Sequence, residues 1–168
     1  MPKLTIGQLA PLFTLPDLDN SPISLEQFRG GPVVINFWSA ECPWVERADL
    51  EIASWQDRLT VLPIAVNVEE PYEMLAEAAA ERGLRYILRD TDRQVAGLYG
   101  AEVTPHFFLV DGDGILRYQG AFDDMTFRQK EPARFYLIEA IQALMIGDPI
   151  PIAETQPYGC AISTDSVE

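Results

Sequence analysis

Cysteine and histidine are scarce in this chain. Its 168 residues hold two cysteines and one histidine, too few for a usual structural zinc site. Positive charge is also short: 12 Lys and Arg stand against 26 Asp and Glu, for a net charge of −14. A surface of that sign repels a phosphate backbone and an anionic bilayer, so neither nucleic acid nor membrane is an expected partner. No apolar run approaches the roughly 18 residues of a membrane span. The opening residues Met1, Pro2, Lys3, Leu4 and Thr5 lack the charged-then-apolar pattern of a signal peptide, so a cytoplasmic setting is expected. There is no internal repeat and no glycine-rich loop opening a helix, so no nucleotide or metal cofactor is implied.

What is present is apolar sequence in ordered patches. At 48% hydrophobic residues, the chain can bury the core of one domain. That domain is expected over residues 1–145, with a proline-rich C-terminal arm, 146–168, packed on or near it. Turn formers divide the first thirty residues into short strands or a hairpin. Residues 32–38 are apolar almost throughout, as in a strand covered on both faces of a parallel sheet. Val45, Ala48, Ile52, Trp55 and Leu59 then recur at helical spacing, predicting a helix of about four turns. A second buried strand is expected over 61–68, with Pro63 where no ladder bond is needed or just before the strand begins. A helix is expected over 72–82, a short strand over 86–88 and a short helix over 92–99. An apolar strand follows at 106–110, and Asp111-Gly112-Asp113-Gly114 turns the chain back. On the return strand, 115–122, Leu116, Tyr118 and Phe122 are expected on one face, Arg117 and Gln119 on the other. A last helix is expected over 132–145. The order βαβα, hairpin, α delivers the loop after the first long strand to the sheet's carboxyl edge, where open α/β sheets place their sites.

Cys42 lies on that loop. Pro43 suits a first helical position, so Cys42 stands at a helix N-terminus, where free N–H groups and the dipole favour a thiolate. The competing reading is an inert, packed thiol. Trp38 and Trp44 flank the loop as an apolar wall, and Trp44, which the helical stripe does not use, is a candidate for lining a substrate groove. Arg47 is one turn along the helix, either supporting a thiolate or simply solvated. His106 is a weaker candidate, as a general base. Glu69-Glu70 and Asp123-Asp124 read as turn and helix-start caps.

The segments Gly7-Gln8-Leu9-Ala10-Pro11, Ile23-Ser24-Leu25, Val34-Ile35-Asn36-Phe37-Trp38-Ser39-Ala40-Glu41-Cys42-Pro43, Thr104-Pro105 and Phe107-Phe108-Leu109-Val110-Asp111 follow one another in an order that resembles the redoxin branch of the thioredoxin superfamily, which includes TlpA/ResA-type oxidoreductases and AhpC/TSA peroxiredoxins. The resemblance implies a three-layer α/β/α sandwich with a mixed central sheet and an N-terminal strand extension. It implies a cis Pro105 against the nucleophile, with the Thr104 backbone able to pair with an extended substrate. Three positions depart from the family pattern. The usual second cysteine of the motif is Val45. The position six before Cys42, often a buried acid, is Asn36. A peroxiredoxin signature wants proline and threonine where this chain has Ile35 and Ser39, although Ser39 can replace the threonine hydroxyl. A closer subgroup reads Cys-Pro-x-Val at the first motif and Gly-Cys-x-Ile near the C-terminus, matched here by Cys42 to Val45 and Gly159 to Ile162.

The leading expectation is a thiol–disulfide oxidoreductase with Cys42 as nucleophile. Cys160 is the candidate resolving thiol, provided the arm brings the two Cα atoms within roughly 7 Å. Its partners would be a protein or small-molecule thiol or disulfide and an external thiol reductant. A thiol-dependent peroxidase with an antioxidant role, and a redox-inactive binding module of the same fold, are the alternatives. Oligomeric state is left open.

Overall fold

Proline, asparagine and aspartate cut the N-terminal region into pieces too short for anything but a small hairpin. In the computed structural model, which describes residues 3–162, Thr14–Pro16 (β1) pairs antiparallel with Pro22–Ser24 (β2). The Asp17 carboxylate shapes the turn by accepting the Asp19 and Ser21 N–H groups.

The unbroken apolar run then becomes Val33–Trp38 (β3), buried at all six positions. Pro43–Ile52 (α1) leads from it to Thr60–Ala65 (β4), which lies parallel to β3. Tyr72–Arg82 (α2) leads on to Leu88–Arg89 (β5), parallel to β4. Gln94–Tyr99 (α3) and Val103–Thr104 (β6) come next. After the Thr104–Pro105 bond, which is cis, His106–Val110 (β7) runs antiparallel to β3, and Leu116–Gly120 (β8) returns antiparallel to β7. Tyr136–Ile146 (α4) follows, and Cys160–Ala161 (β9) lies near the end of the described chain. The central sheet has the order β5-β4-β3-β7-β8. Pro63 sits inside β4, but β5 pairs only with Ile64 and Ala65, so the missing N–H breaks no bond of that ladder.

The two sheet faces hold separate cores. Ile35, Phe37, Ile64, Phe108 and Val110 pack with the N-terminal segment and with Val95, Ala96 and Tyr99 of α3. Val34, Phe107, Leu109 and Tyr118 pack on the other face with Ala48 and Ile52 of α1 and Leu137, Ala140 and Ile141 of α4. This is the α/β/α sandwich with a mixed sheet and an N-terminal strand extension.

Several elements differ from their sequence expectation. The α1 stripe is buried as far as Trp55 and Leu59, but the α-helix ends at Ile52 and a 3-10 turn, Ala53–Trp55, replaces its last turns. Arg58 and Leu59 N–H groups both donate to the Trp55 carbonyl, tightening the chain there. The short strand expected at 86–88 begins at Leu88. Leu116 and Tyr118 face opposite sides of the sheet, because the β7–β8 register shifts between Leu109 and Val110. Gln119, expected outside, is 3% exposed; its amide donates to the Leu4 carbonyl and to Glu154, so the N-terminal segment and the arm cover it. The last helix starts at Tyr136 rather than Pro132. Asp124 holds the residues just before Tyr136 out of the helix, donating its N–H to the Arg134 carbonyl and accepting the Ala133 N–H.

Candidate active site

Cys42 is the N-cap of α1, with extended backbone (φ −82°, ψ 120°) and Pro43 beginning the helix. Its carbonyl accepts the Val45 and Glu46 N–H groups, each at 3.1 Å. The β3–α1 loop is held from both ends of α2. Just before α2, the buried Glu70 carboxylate accepts the Ser39 hydroxyl, the Ala40 N–H at 2.9 Å and the Glu41 N–H at 3.3 Å. At the last residue of α2, Arg82 donates to the Ala40 carbonyl at 2.8 Å and to Asp49 at 3.0 Å. Asp49 also accepts the Trp38 indole N–H at 2.8 Å. Burial pushes the Asp49 carboxyl up to about 6, against the downward pull of the Trp38 and Arg82 hydrogen bonds.

The Cys42 sulfur is bonded to Cys160, with 6.2 Å between the Cα atoms. It also lies 3.3 Å from the Thr104 carbonyl oxygen. Cys160 arrives there as part of β9, which pairs antiparallel with β6: Thr104 opposite Cys160, Val103 opposite Ala161. The arm is anchored upstream on β8. The Gln119 N–H donates to the Ala153 carbonyl and the Thr155 N–H to the Gln119 carbonyl, both at 3.0 Å. The Thr155 hydroxyl accepts the Ala121 N–H at 2.9 Å and is 2.7 Å from the Tyr118 hydroxyl. Gly120, at φ +142°, admits this approach, since a Cβ there would collide with Thr155. Tyr158 then stands edge-on to Trp44 at 5.0 Å, and its hydroxyl accepts the Phe127 N–H at 3.0 Å. Gly159 passes so close to β6 that a Cβ would overlap the Thr104 carbonyl and come within 2.9 Å of Pro105 Cδ. Residues 163–168 of the expected arm lie outside the described residues.

Cys42, Cys160, Thr104, Pro105 and Trp44 therefore stand in one place. Trp38 is fully buried beneath the loop. The Ser39 hydroxyl is taken by Glu70. Arg47 differs from both of its expected roles: two hydrogen bonds, at 3.0 and 2.7 Å, commit its guanidinium to Asp123, beside the rings of Trp44 and Phe122. Asp123 and Glu70 are correspondingly more than turn caps. His106 shares its sheet face with Phe108, on which it stacks at 4.7 Å, and that face is opposite α1. Its Nδ1 accepts the Glu102 N–H at 3.2 Å. Val45, where a second motif cysteine would stand, is completely buried. Sequence reasoning missed Asp49, Arg82, Phe127 and Tyr158, gave Glu70 only as a cap, and reached Gly159 only through the resemblance to the Gly-Cys-x-Ile subgroup. Tyr158 carries one further signal, its place two residues before the second cysteine.

A helix-capping cysteine facing a Thr-Pro turn at the edge of a mixed sheet defines a thioredoxin-like redoxin. The chain belongs to the AhpC/TSA family, whose model matches residues 6–119. It is similar to the thiol-disulfide oxidoreductase ResA of Geobacillus thermodenitrificans, 36% identical over an alignment of 116 positions that covers 66% of this chain and 66% of the relative. Two solved structures resemble it over nearly their whole length. One is a hypothetical protein from Sinorhizobium meliloti, 29% identical, covering 96% of this chain and 95% of that one, with a TM-score of 0.84. The other is an uncharacterized conserved protein from Geobacillus kaustophilus, 27% identical, covering 99% of each chain, with a TM-score of 0.85. The arm lies beyond the family match and within these two.

Proposed function

We propose that this protein is a thiol–disulfide oxidoreductase whose redox pair is Cys42 and Cys160. The observation that carries the reading is the disulfide between a helix-capping cysteine and a cysteine paired to Thr104. The helix N-terminus favours the Cys42 thiolate as attacking and leaving group. Cys160 takes over the resolving task that Val45 cannot perform. The name of the ResA relative supports the same activity. A pair that cycles, unlike a structural bridge, suits a reducing compartment, so the cytoplasmic setting belongs to this proposal. A protein or small-molecule disulfide is the substrate, and an external thiol resets the pair.

Reduced protein treated with oxidised glutathione, quenched by alkylation and weighed by mass spectrometry tests this. The expected product is the Cys42–Cys160 disulfide, while Cys160→Ser accumulates a glutathione adduct on Cys42. A Cys42 thiol that reacts with neither glutathione nor an alkylating reagent in the reduced native protein overturns the proposal. Rapid consumption of hydrogen peroxide with a sulfenic acid on Cys42 would replace it with the peroxidase reading.

A further inference from the structure

The arm reaches Cys42 as an extended segment. Its backbone pairs with β6 at Thr104 and Val103, its aromatic side chain lies against Trp44, and its glycine passes over the Thr104 carbonyl. Each of these contacts is made by a side chain or backbone group close to the reacting sulfur. None requires the chain connection to β8, which is secured separately by Ala153 and Thr155. The site is therefore a groove for an extended peptide, filled here by the protein's own residues 158–161.

We propose that the groove takes, in place of the arm, an extended segment of a partner protein whose reactive cysteine is preceded by glycine and, one residue earlier, by an aromatic side chain. This rests on the oxidoreductase reading and names its substrate class. The glycine requirement is steric: a Cβ at the position of Gly159 would lie 2.7 Å from the Thr104 carbonyl carbon, and a backbone atom cannot move aside as the end of a flexible side chain can. The aromatic requirement comes from the ring faces of Trp44 and Phe127. These meet Tyr158 at centroid distances of 5.0 and 6.3 Å and each other at 5.7 Å. Phe127 is 72% exposed even with these contacts made, a large apolar ring at the rim of the groove with face left to cover.

Arm and substrate occupy the groove in turn. The Cys42 thiolate attacks the substrate cysteine's disulfide, forming the Cys42–substrate bond and expelling the substrate's other sulfur as a thiolate, which takes a proton. The arm then swings back from its Thr155 anchor. Five residues, Gln156 to Cys160, reach about 16 Å when extended, enough to leave and return. The Cys160 thiolate attacks the Cys42 sulfur, closing the Cys42–Cys160 disulfide and releasing the substrate cysteine as a thiolate, which is protonated. The substrate disulfide has gained two electrons and the protein pair has lost two. A dithiol reductant restores the pair.

Full-length Cys160→Ser protein, reduced, would be mixed with short peptides carrying a thiopyridyl mixed disulfide on their single cysteine. The sequences are Ala-Tyr-Gly-Cys-Ala-Ile, the same with valine for glycine, and the same with serine for tyrosine. A thiopyridyl cysteine methyl ester serves as a small probe, and each rate is divided by that of the same compound with free glutathione. The Tyr-Gly-Cys peptide is expected to exceed the valine peptide by about tenfold, equivalent to about 1.4 kcal/mol, and the serine peptide by more than about threefold. Ratios within about threefold for valine and indistinguishable for serine, with the small probe reacting normally, overturn the specificity and leave the oxidoreductase intact. Failure of every compound, small probe included, counts against the oxidoreductase reading itself.

Discussion

His106 is the chain's one histidine, and its surroundings keep it uncharged. Burial lowers its pKa from 6.5 to about 4, with Lys3 adding a smaller repulsion. The unfolded chain takes up a proton near 6.5 while the folded chain resists until about 4. The stability this contributes is fully present above pH 6.5 and is lost as the pH falls through 4, a span worth about 3 kcal/mol. Asp49 acts in the opposite sense. Its carboxyl is raised from 3.8 to about 6, so the folded state binds the extra proton and stability from this group rises as pH falls between those values. The two contributions offset each other in a bulk measurement, and the histidine has to be watched directly. Its ring proton resonance in a proton NMR titration is expected to stay fixed from pH 8 to pH 5. A midpoint near 6.5 would show that the ring is open to water rather than buried. Residue type alone left this open: a histidine beside the active-site proline invites a catalytic role, and only the sheet face it occupies decides against one.

The elements that place Cys42 were legible where the burying force is local. β3 reads as six consecutive buried residues, and α1 as a stripe whose period announces a helix. β9 was not legible. It has two residues, and its reason for being a strand is the free edge at Thr104, far away in sequence. Glu70 was hidden for a related cause, since the N–H groups it accepts are 30 and 29 residues distant and no pattern around Glu70 points to them. Two substitutions test these elements. Replacing Glu70 with alanine leaves the buried Ala40 N–H and Ser39 hydroxyl unpaired and is expected to destabilise the protein by about 2–4 kcal/mol, read by urea denaturation. A loss below about 0.5 kcal/mol would mean that water replaces the carboxylate and that the loop is not held from α2. Gly159→Ala puts a Cβ into the Thr104 carbonyl. It is expected to lower the equilibrium constant for closing the Cys42–Cys160 disulfide against glutathione by about tenfold or more. An unchanged constant would show that the arm closes over Cys42 by some other path.

For the whole molecule, the disulfide joins residues 118 apart in sequence and so ties the first strand–helix unit to the end of the described chain. In the chain-entropy account, a loop of that length raises oxidised-state stability by at most about 5 kcal/mol. The hydrogen bonds at Ala153 and Thr155 do not involve the bridge, but closing it must also order residues 156–160 in the native state, and that cost makes the realised gain smaller. For a chain of this length 1 kcal/mol moves Tm by about 2–4 °C. Reduction is therefore expected to lower Tm by roughly 10 °C, and Cys160→Ser, with or without reductant, should melt within about 3 °C of the reduced parent. Calorimetry of the four samples checks this. Linkage makes the same number a statement about function: whatever free energy the bridge adds to folding is also the extra work a thiol reductant must do to open it. If oxidised and reduced protein melt together, the bridge costs the reductant nothing beyond an ordinary disulfide. If oxidised protein melts about 20 °C or more above reduced, the full gain is realised, residues 156–160 already lie in place against β6 without the bond, and the picture of a segment pivoting on Thr155 fails.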